Sequence, residues 1–217
     1  LTRGVVRYGA LLDPTGWRAM PVRRASRGAR GLLKALSVVE GLPLGRWVVE
    51  ECCAQLKRWT EGGYPKLVMS LNLSARQFAE PDLAGYLAAS MAACGLPPSR
   101  FKVEITESVL LEQEEPAVGT LVRLRDMGVT LCMDDFGTGY SSLGYLHRFP
   151  LHVLKIDRSF VGRMDRDARS AQMVHSIVNL ARNLRVSVVA EGVETREQLA
   201  ALRGMGCDQA QGFLFAE

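Results

Sequence analysis

Beyond residue 66 the chain alternates between two hydrophobic rhythms. Short β-branched or apolar runs recur at Leu67 to Leu73, Phe101 to Ile105, Val129 to Met133, Val153 to Ile156, Val186 to Ala190 and Phe213 to Phe215. Between them lie stretches with helical spacing, the clearest placing Met173, Val174, Ile177, Val178, Ala181 and Leu184 along one face at intervals of three and four. Further helices are predicted at 46–59, 76–94, 115–127 and 195–204. Strands alternating with helices are the pattern of β-α units and a parallel sheet. A first strand at Val5 to Leu12 and a degenerate one between Trp17 and Arg24 bring the strand count to about eight, which fits a closed (β/α) barrel. There is no internal repeat, no low-complexity linker and no second composition regime, so the whole of 1–217 reads as one α/β domain.

The polar residues are placed more tellingly than any single motif. Asn72 and Ser74 end the run at 67–73, and Glu104 and Glu107 sit at the end of the next. Asp134 and Asp135 follow Val129 to Met133, Lys155 and Asp157 fall within or just past Val153 to Ile156, and Glu191 and Glu194 follow Val186 to Ala190. In a (β/α) barrel these strand ends share one face, where active sites form. The expectation is a crowded acidic centre.

At 217 residues and 47% apolar content the chain can bury a large core. No apolar run is long enough to span a bilayer and no signal-like pattern opens the chain, so a cytoplasmic setting and no membrane segment are expected. The five cysteines, Cys52, Cys53, Cys94, Cys132 and Cys207, form neither a C-x-x-C pair nor a disulfide pattern and read as small core residues. The net charge of +4 owes much to Arg18, Arg23, Arg24, Arg27, Arg30 and Lys34. Such a run can bind nucleic acid or anionic lipid, but is more often a solvated face, and no DNA partner is expected.

An Asn carbonyl with several carboxylates, and no His or Cys among them, makes a hard oxygen site suited to magnesium or manganese rather than zinc. Adjacent Asp134 and Asp135 repel unless positive charge holds them, which argues for more than one cation, with Lys155 supplying part of that charge. Two metals can stabilise both the attacking and leaving oxygens of a phosphoryl displacement, and Glu191 is placed to act as base. A pair such as Glu104 and Glu191 also fits the acid and nucleophile of a glycosidase. The charge density of Glu104, Asp134 and Asp135 beside Asn72 and Lys155 favours metal-dependent hydrolysis instead. Asp157 and Glu194 each admit a second reading as helix caps. Gly137, Gly139 and Gly144 form a phosphate cradle or a plain turn. His147, His152 and His175 make no ligand set, and Met91, Met127, Met164, Met173 and Met205 are read as packing.

Taken in order, Asn72-Leu73-Ser74-Ala75-Arg76-Gln77-Phe78, Glu104-Ile105-Thr106-Glu107-Ser108, Asp134-Asp135-Phe136-Gly137-Thr138-Gly139-Tyr140-Ser141-Ser142-Leu143, Leu154-Lys155-Ile156-Asp157-Arg158-Ser159-Phe160-Val161, Ala190-Glu191-Gly192-Val193-Glu194-Thr195 and Gln211-Gly212-Phe213 closely resemble the EAL-domain family. The resemblance implies a modified (β/α)8, TIM-like barrel that hydrolyses the second messenger cyclic-di-GMP to linear pGpG with two magnesium or manganese ions. Carried over motif by motif, it implies Asn72, Glu104, Asp134 and Asp135 as metal ligands, with Asp157 and Glu194 close to the metals. It implies Glu191 as general base, Lys155 as the group that orients water and neutralises charge, and Gln211 as completing the site. Glu107 would brace loop 136–146, which couples the site to a homodimer interface in the family.

The resemblance breaks near the N-terminus, where the family carries a metal-ligating Glu in a Glu-Ala-Leu triplet. No such triplet occurs here. Tyr8 to Gly16 resembles the family's first strand and turn, and Leu44-Gly45-Arg46-Trp47 its later helix start. Counting forward from Gly16 places the Glu near Val22, whereas counting back from Gly45 places it near Asp13, so residues are missing as well. Glu40 is no substitute, because Ser37-Val38-Val39 resembles a downstream helix. Trp17 to Lys34 is arginine-rich and carries Pro21 where a central strand should run. The stretch 1–45 is thus degenerate or partly deleted, through a deletion or a local reading-frame shift, and 46–217 is well matched. His152 stands where the family usually has Asp, and the chain stops at Phe215-Ala216-Glu217, before the family's final helix. The expected consequence is a weakened metal ion and impaired hydrolysis, a receptor that binds cyclic-di-GMP without turning it over, or a non-functional remnant that folds poorly because its second strand is damaged.

Overall fold

The computed structural model describes residues 42–112, 114–138 and 146–215. The expected strands at Val5 to Leu12 and Trp17 to Arg24, most of loop 136–146, and the last two residues of the chain lie outside these. The described residues belong to two compact units, one running to Leu131 and including Arg148–Pro150, the other made of the remainder from Cys132 onward.

The first unit opens with helix α1 (Leu42–Glu61), whose Val49, Cys52, Cys53 and Leu56 recur at helical spacing and are buried. Strand β1 (Met69–Asn72) follows, then two helices, α2 (Ala75–Phe78) and α3 (Leu83–Ala93). The single helix expected over 76–94 is interrupted by Pro81, which has no N–H and crowds the preceding turn. Ser74 caps α2 through a reciprocal capping box with Gln77. Strand β2 (Phe101–Thr106) pairs parallel to β1, with Asn72 opposite Glu104. Helices α4 (Glu107–Glu112) and α5 (Glu114–Asp126) complete the unit, so the helix expected at 115–127 has a short companion ahead of it.

Strand β3 (Thr130–Phe136) enters the second unit at Cys132. There it is followed by β4 (Val153–Ile156), β5 (Ser187–Glu191) and β6 (Gln209–Gln211), which pair in parallel and in chain order. Helices α6 (Arg158–Val161), α7 (Ala168–Leu184) and α8 (Arg196–Met205) connect β4 to β5 and β5 to β6. Helix α7 packs against β4 and β5. It buries Val174, Ile177, Val178 and Ala181, whereas Met173, expected on that face, lies on its flank and is 44% exposed. Of the cysteines expected in the core, Cys52, Cys53 and Cys132 are buried, while Cys94 and Cys207 are half-buried. The strand expected at Phe213 to Phe215 is instead Gln209–Gln211, and Phe213 is exposed.

Gly212 explains that displacement. It adopts φ +155, and a Cβ there would overlap both the N and O of Val193. The close approach is held by the Val193 N–H donating to the Gln211 carbonyl and the Leu214 N–H donating to the Val193 carbonyl, each 3.0 Å. The chain therefore leaves the sheet at Gly212, before the aromatic run begins. Gly212→Ala is expected to lower unfolding stability by about 2–4 kcal/mol, since backbone rather than a flexible side chain must yield; chemical denaturation of parent and variant measures this.

Candidate functional site

Adjacent residues of a regular strand point to opposite faces, so Asp134 and Asp135 should not share one. The second unit resolves this with a β-bulge. Met133 pairs with Leu154 and Phe136 with Ile156, so Asp134 and Asp135 together oppose the single residue Lys155. Asp135 takes the left-handed conformation, φ 54, which Asp tolerates better than most side chains. Its carbonyl accepts from the Thr138 hydroxyl at 2.8 Å, and the Asp135 N–H donates to Asp134 Oδ1 at 3.1 Å. As a result, carboxylate oxygens of Asp134, Asp135 and Glu191 all lie within 4.8 Å of one another.

Register places the remaining groups. Lys155 pairs with Val189, so Glu191, two residues on, shares its face, and Gln211 lies opposite Glu191. Lys155 Nζ is 2.9 Å from Asp134 Oδ1 and 2.6 Å from Glu191 Oε1. Gln211 Nε2 donates to the same Glu191 oxygen. Lys155, Glu191 and Asp134 are buried, at 4%, 1% and 9% exposure. On the same side of the strands, one step earlier, Cys132, Val153 and Val189 form a buried apolar cluster beneath these groups.

Asp157 accepts the Ser159 N–H at 2.9 Å as the N-cap of α6, so the capping role is real, and its charge also acts on Asp135. Glu194 is exposed, and the N-cap of α8 is its neighbour Thr195, in a capping box with Gln198. Asn72, Glu104 and Glu107 belong to the first unit. Asn72 is exposed at the end of β1, while Glu104 in β2 and Glu107 at the start of α4 are buried. His147, His152 and His175 are all exposed.

The donor set is oxygen throughout, and the carboxylates of Asp134, Asp135 and Glu191 outnumber the Lys155 ammonium, so the residues fit a hard divalent cation such as magnesium or manganese. Burial pushes the Asp135 carboxyl up to about 6, with Asp134, Asp157 and Glu191 pushing the same way and Lys155 pulling it down. The thiols are inert by comparison: burial pushes Cys52 and Cys207 up to about 11 and Cys53 to about 12.

Apolar and polar patterning singles out neither the bulge nor the positive-φ glycines. Gly192, at φ +74, follows Glu191 directly, and Gly212 follows Gln211. A glycine immediately after a strand-end polar residue is the signal that the sequence offers.

Parallel β-α units carrying an all-oxygen acidic centre at the strand ends define a metal-site α/β protein of the (β/α)-barrel class. The EAL domain profile matches residues 36–217, and the chain belongs to the EAL domain family. The bifunctional diguanylate cyclase/cyclic di-GMP phosphodiesterase MucR of Pseudomonas aeruginosa is 42% identical over 171 residues, covering 79% of this chain and 25% of MucR. The PaMucR phosphodiesterase in complex with c-di-GMP superposes with a TM-score of 0.81 at 36% identity, over 99% of this chain and 91% of that one. The manganese/cy-diGMP complex of Klebsiella pneumoniae BlrP1 at pH 9.0 gives a TM-score of 0.74 at 30% identity, over 84% of this chain and 47% of that one. The chain spans only a fifth to a quarter of the curated relatives it matches, 24%, 25% and 20% for three of them. No described helix is long and apolar enough to cross a membrane.

The folded Asp135 value near 6 lies above the ordinary 3.8, so the folded chain holds this proton more tightly than the unfolded one. The associated stability is complete below about pH 4 and is lost as the pH rises through about 6. In metal-free protein, Asp135→Asn is therefore expected to match the parent near pH 4 and to melt higher than it at about pH 7.5. Magnesium or manganese should raise the parent's melting temperature at that higher pH more than the variant's. Scanning calorimetry at both pH values, with and without metal, checks both statements.

Proposed function

We propose that the chain is a cyclic-di-GMP domain of the phosphodiesterase type whose hydrolytic activity is impaired. The observation that carries this is the buried Lys155 bridging Asp134 and Glu191 beside Asp135, at the ends of parallel strands. Asn72, Glu104, Asp134 and Asp135 are the proposed metal ligands, with Asp157 and Glu194 near them. Bound magnesium or manganese would make water more acidic and offset phosphate charge.

Glu191 accepts the proton of the attacking water. Gln211 and Lys155 hold one of its oxygens, which fixes the carboxylate's orientation. The water oxygen forms a new bond to phosphorus, the bond from phosphorus to the sugar 3′-oxygen breaks, and that oxygen leaves with the electron pair and takes a proton from solvent, opening the ring to linear pGpG with a free 3′-hydroxyl. Lys155 keeps the buried carboxylates charged and apart. Loop 136–146 is the proposed homodimer contact and Glu107 its proposed brace, and a cytoplasmic setting fits a soluble nucleotide substrate.

The impairment rests on the absence of a Glu-Ala-Leu triplet from the sequence. Losing that Glu removes a ligand and a negative charge, so one cation binds more weakly and hydrolysis suffers more than nucleotide binding. The same absence favours a second reading, a receptor that binds cyclic-di-GMP and does not hydrolyse it.

Calorimetric titration with cyclic-di-GMP and chromatography of pGpG in magnesium and in manganese test both readings. A chain with a Glu-Ala-Leu strand restored runs alongside. The parent should bind the dinucleotide and form pGpG at least about tenfold more slowly than the restored chain, in line with the cost of losing a metal-site group. Glu191→Gln in the restored chain should abolish turnover and keep binding. Equal turnover by parent and restored chains would overturn the account of the missing ligand, and no binding by either would overturn the function.

A further inference from the structure

An anionic phosphodiester approaching this centre meets net negative charge, and Lys155 is already committed to Asp134 and Glu191 at 2.9 and 2.6 Å. Arg158 is a further cation at the same strand ends. It directly follows Asp157 at the end of β4 and is exposed. Its side chain starts close to the residue that follows β5: a Cβ on Gly192, the residue after Glu191, would lie 2.5 Å from Arg158 Cβ and 3.3 Å from its Cα. Gly192 keeps φ +74 and no side chain, which leaves room for the Arg158 Cα and Cβ beside the main chain that follows Glu191. Among the described residues the Arg158 guanidinium takes part in no ion pair. Nor does local helix formation call for it, since a cation in the first turn gains nothing from the helix dipole.

We infer that Arg158 is a substrate-binding residue whose guanidinium takes the non-bridging phosphate oxygens of the cyclic dinucleotide. This rests on the cyclic-di-GMP reading above. A guanidinium fork matches a phosphate bidentately and stays charged at every working pH. Arg158 thereby offsets the repulsion between the substrate and the carboxylates that Lys155 does not neutralise.

Cyclic-di-GMP is titrated calorimetrically into the full chain in magnesium, with pGpG followed in the same samples, for the parent, Arg158→Gln, Arg158→Lys and Arg185→Asn. Arg185 is a control: it is exposed at the opposite end of β5, with φ 58, a conformation that Asn tolerates. Arg158→Gln should weaken binding about tenfold or more, the effect of one charged hydrogen bond to phosphate. Arg158→Lys should recover part of the loss. Arg185→Asn should stay within about twofold of the parent, and the Arg158→Gln defect should shrink at high salt. Binding by Arg158→Gln within about twofold of the parent, or an equal loss in Arg185→Asn, overturns the assignment while leaving the cyclic-di-GMP reading intact. A parent that takes up no cyclic-di-GMP overturns both.

Discussion

The Lys155 ammonium, buried among carboxylates of which it contacts Asp134 and Glu191, is the interaction on which the second unit is organised. Burying a lysine and two carboxylates costs several kcal/mol per ion before attraction returns any of it, and removing one partner typically costs about 3–5 kcal/mol. Such a cluster is tolerated only when each charge has a fixed partner. The sheet provides this through register: Lys155 faces Val189, Glu191 follows two residues later, and Gln211 lies opposite Glu191. The burial of Lys155, Glu191 and Asp134 above the Cys132, Val153 and Val189 cluster strengthens both the pairing and the penalty for losing it.

The bulge in β3 follows from the same constraint. Without it Asp134 and Asp135 would face opposite sides of the sheet, and only one of them could share a face with Lys155 and Glu191. With it, both carboxylates lie within 4.8 Å of Glu191, and the chain accepts a left-handed Asp135 and a carboxyl raised to about 6. Strain and a displaced proton affinity at one residue mark a place where the chain gives up stability for chemistry. A divalent cation relieves the second of these directly.

Much of this was legible in the residues. The strands at Phe101–Thr106, Val153–Ile156 and Ser187–Glu191 were visible as apolar runs, because strands buried on both faces read that way. The cluster of Asp134, Asp135, Lys155 and Glu191 was visible because these residues fall at the ends of those runs. Backbone geometry was not. Nothing in two consecutive aspartates announces a bulge, and the run Phe213 to Phe215 reads as a strand until Gly212 is seen to turn the chain out of the sheet. Thr195 rather than Glu194 caps α8 for a reason that was readable: Gln198 stands three residues later and completes the box.

The charge balance also bears on the choice between enzyme and receptor. Phosphodiester hydrolysis needs a negative centre strong enough to hold two cations, whereas nucleotide binding needs only that the substrate's charge be met. Lys155 is internal and serves the carboxylates, and Arg158 is exposed just past the end of β4, with its Cβ close to Gly192. Removing one carboxylate from such an arrangement weakens the hold on a cation but lowers the repulsion felt by an incoming phosphate. The two effects act in opposite directions on the two activities, so a single lost ligand can separate them without disturbing the buried lysine that keeps the strand ends together.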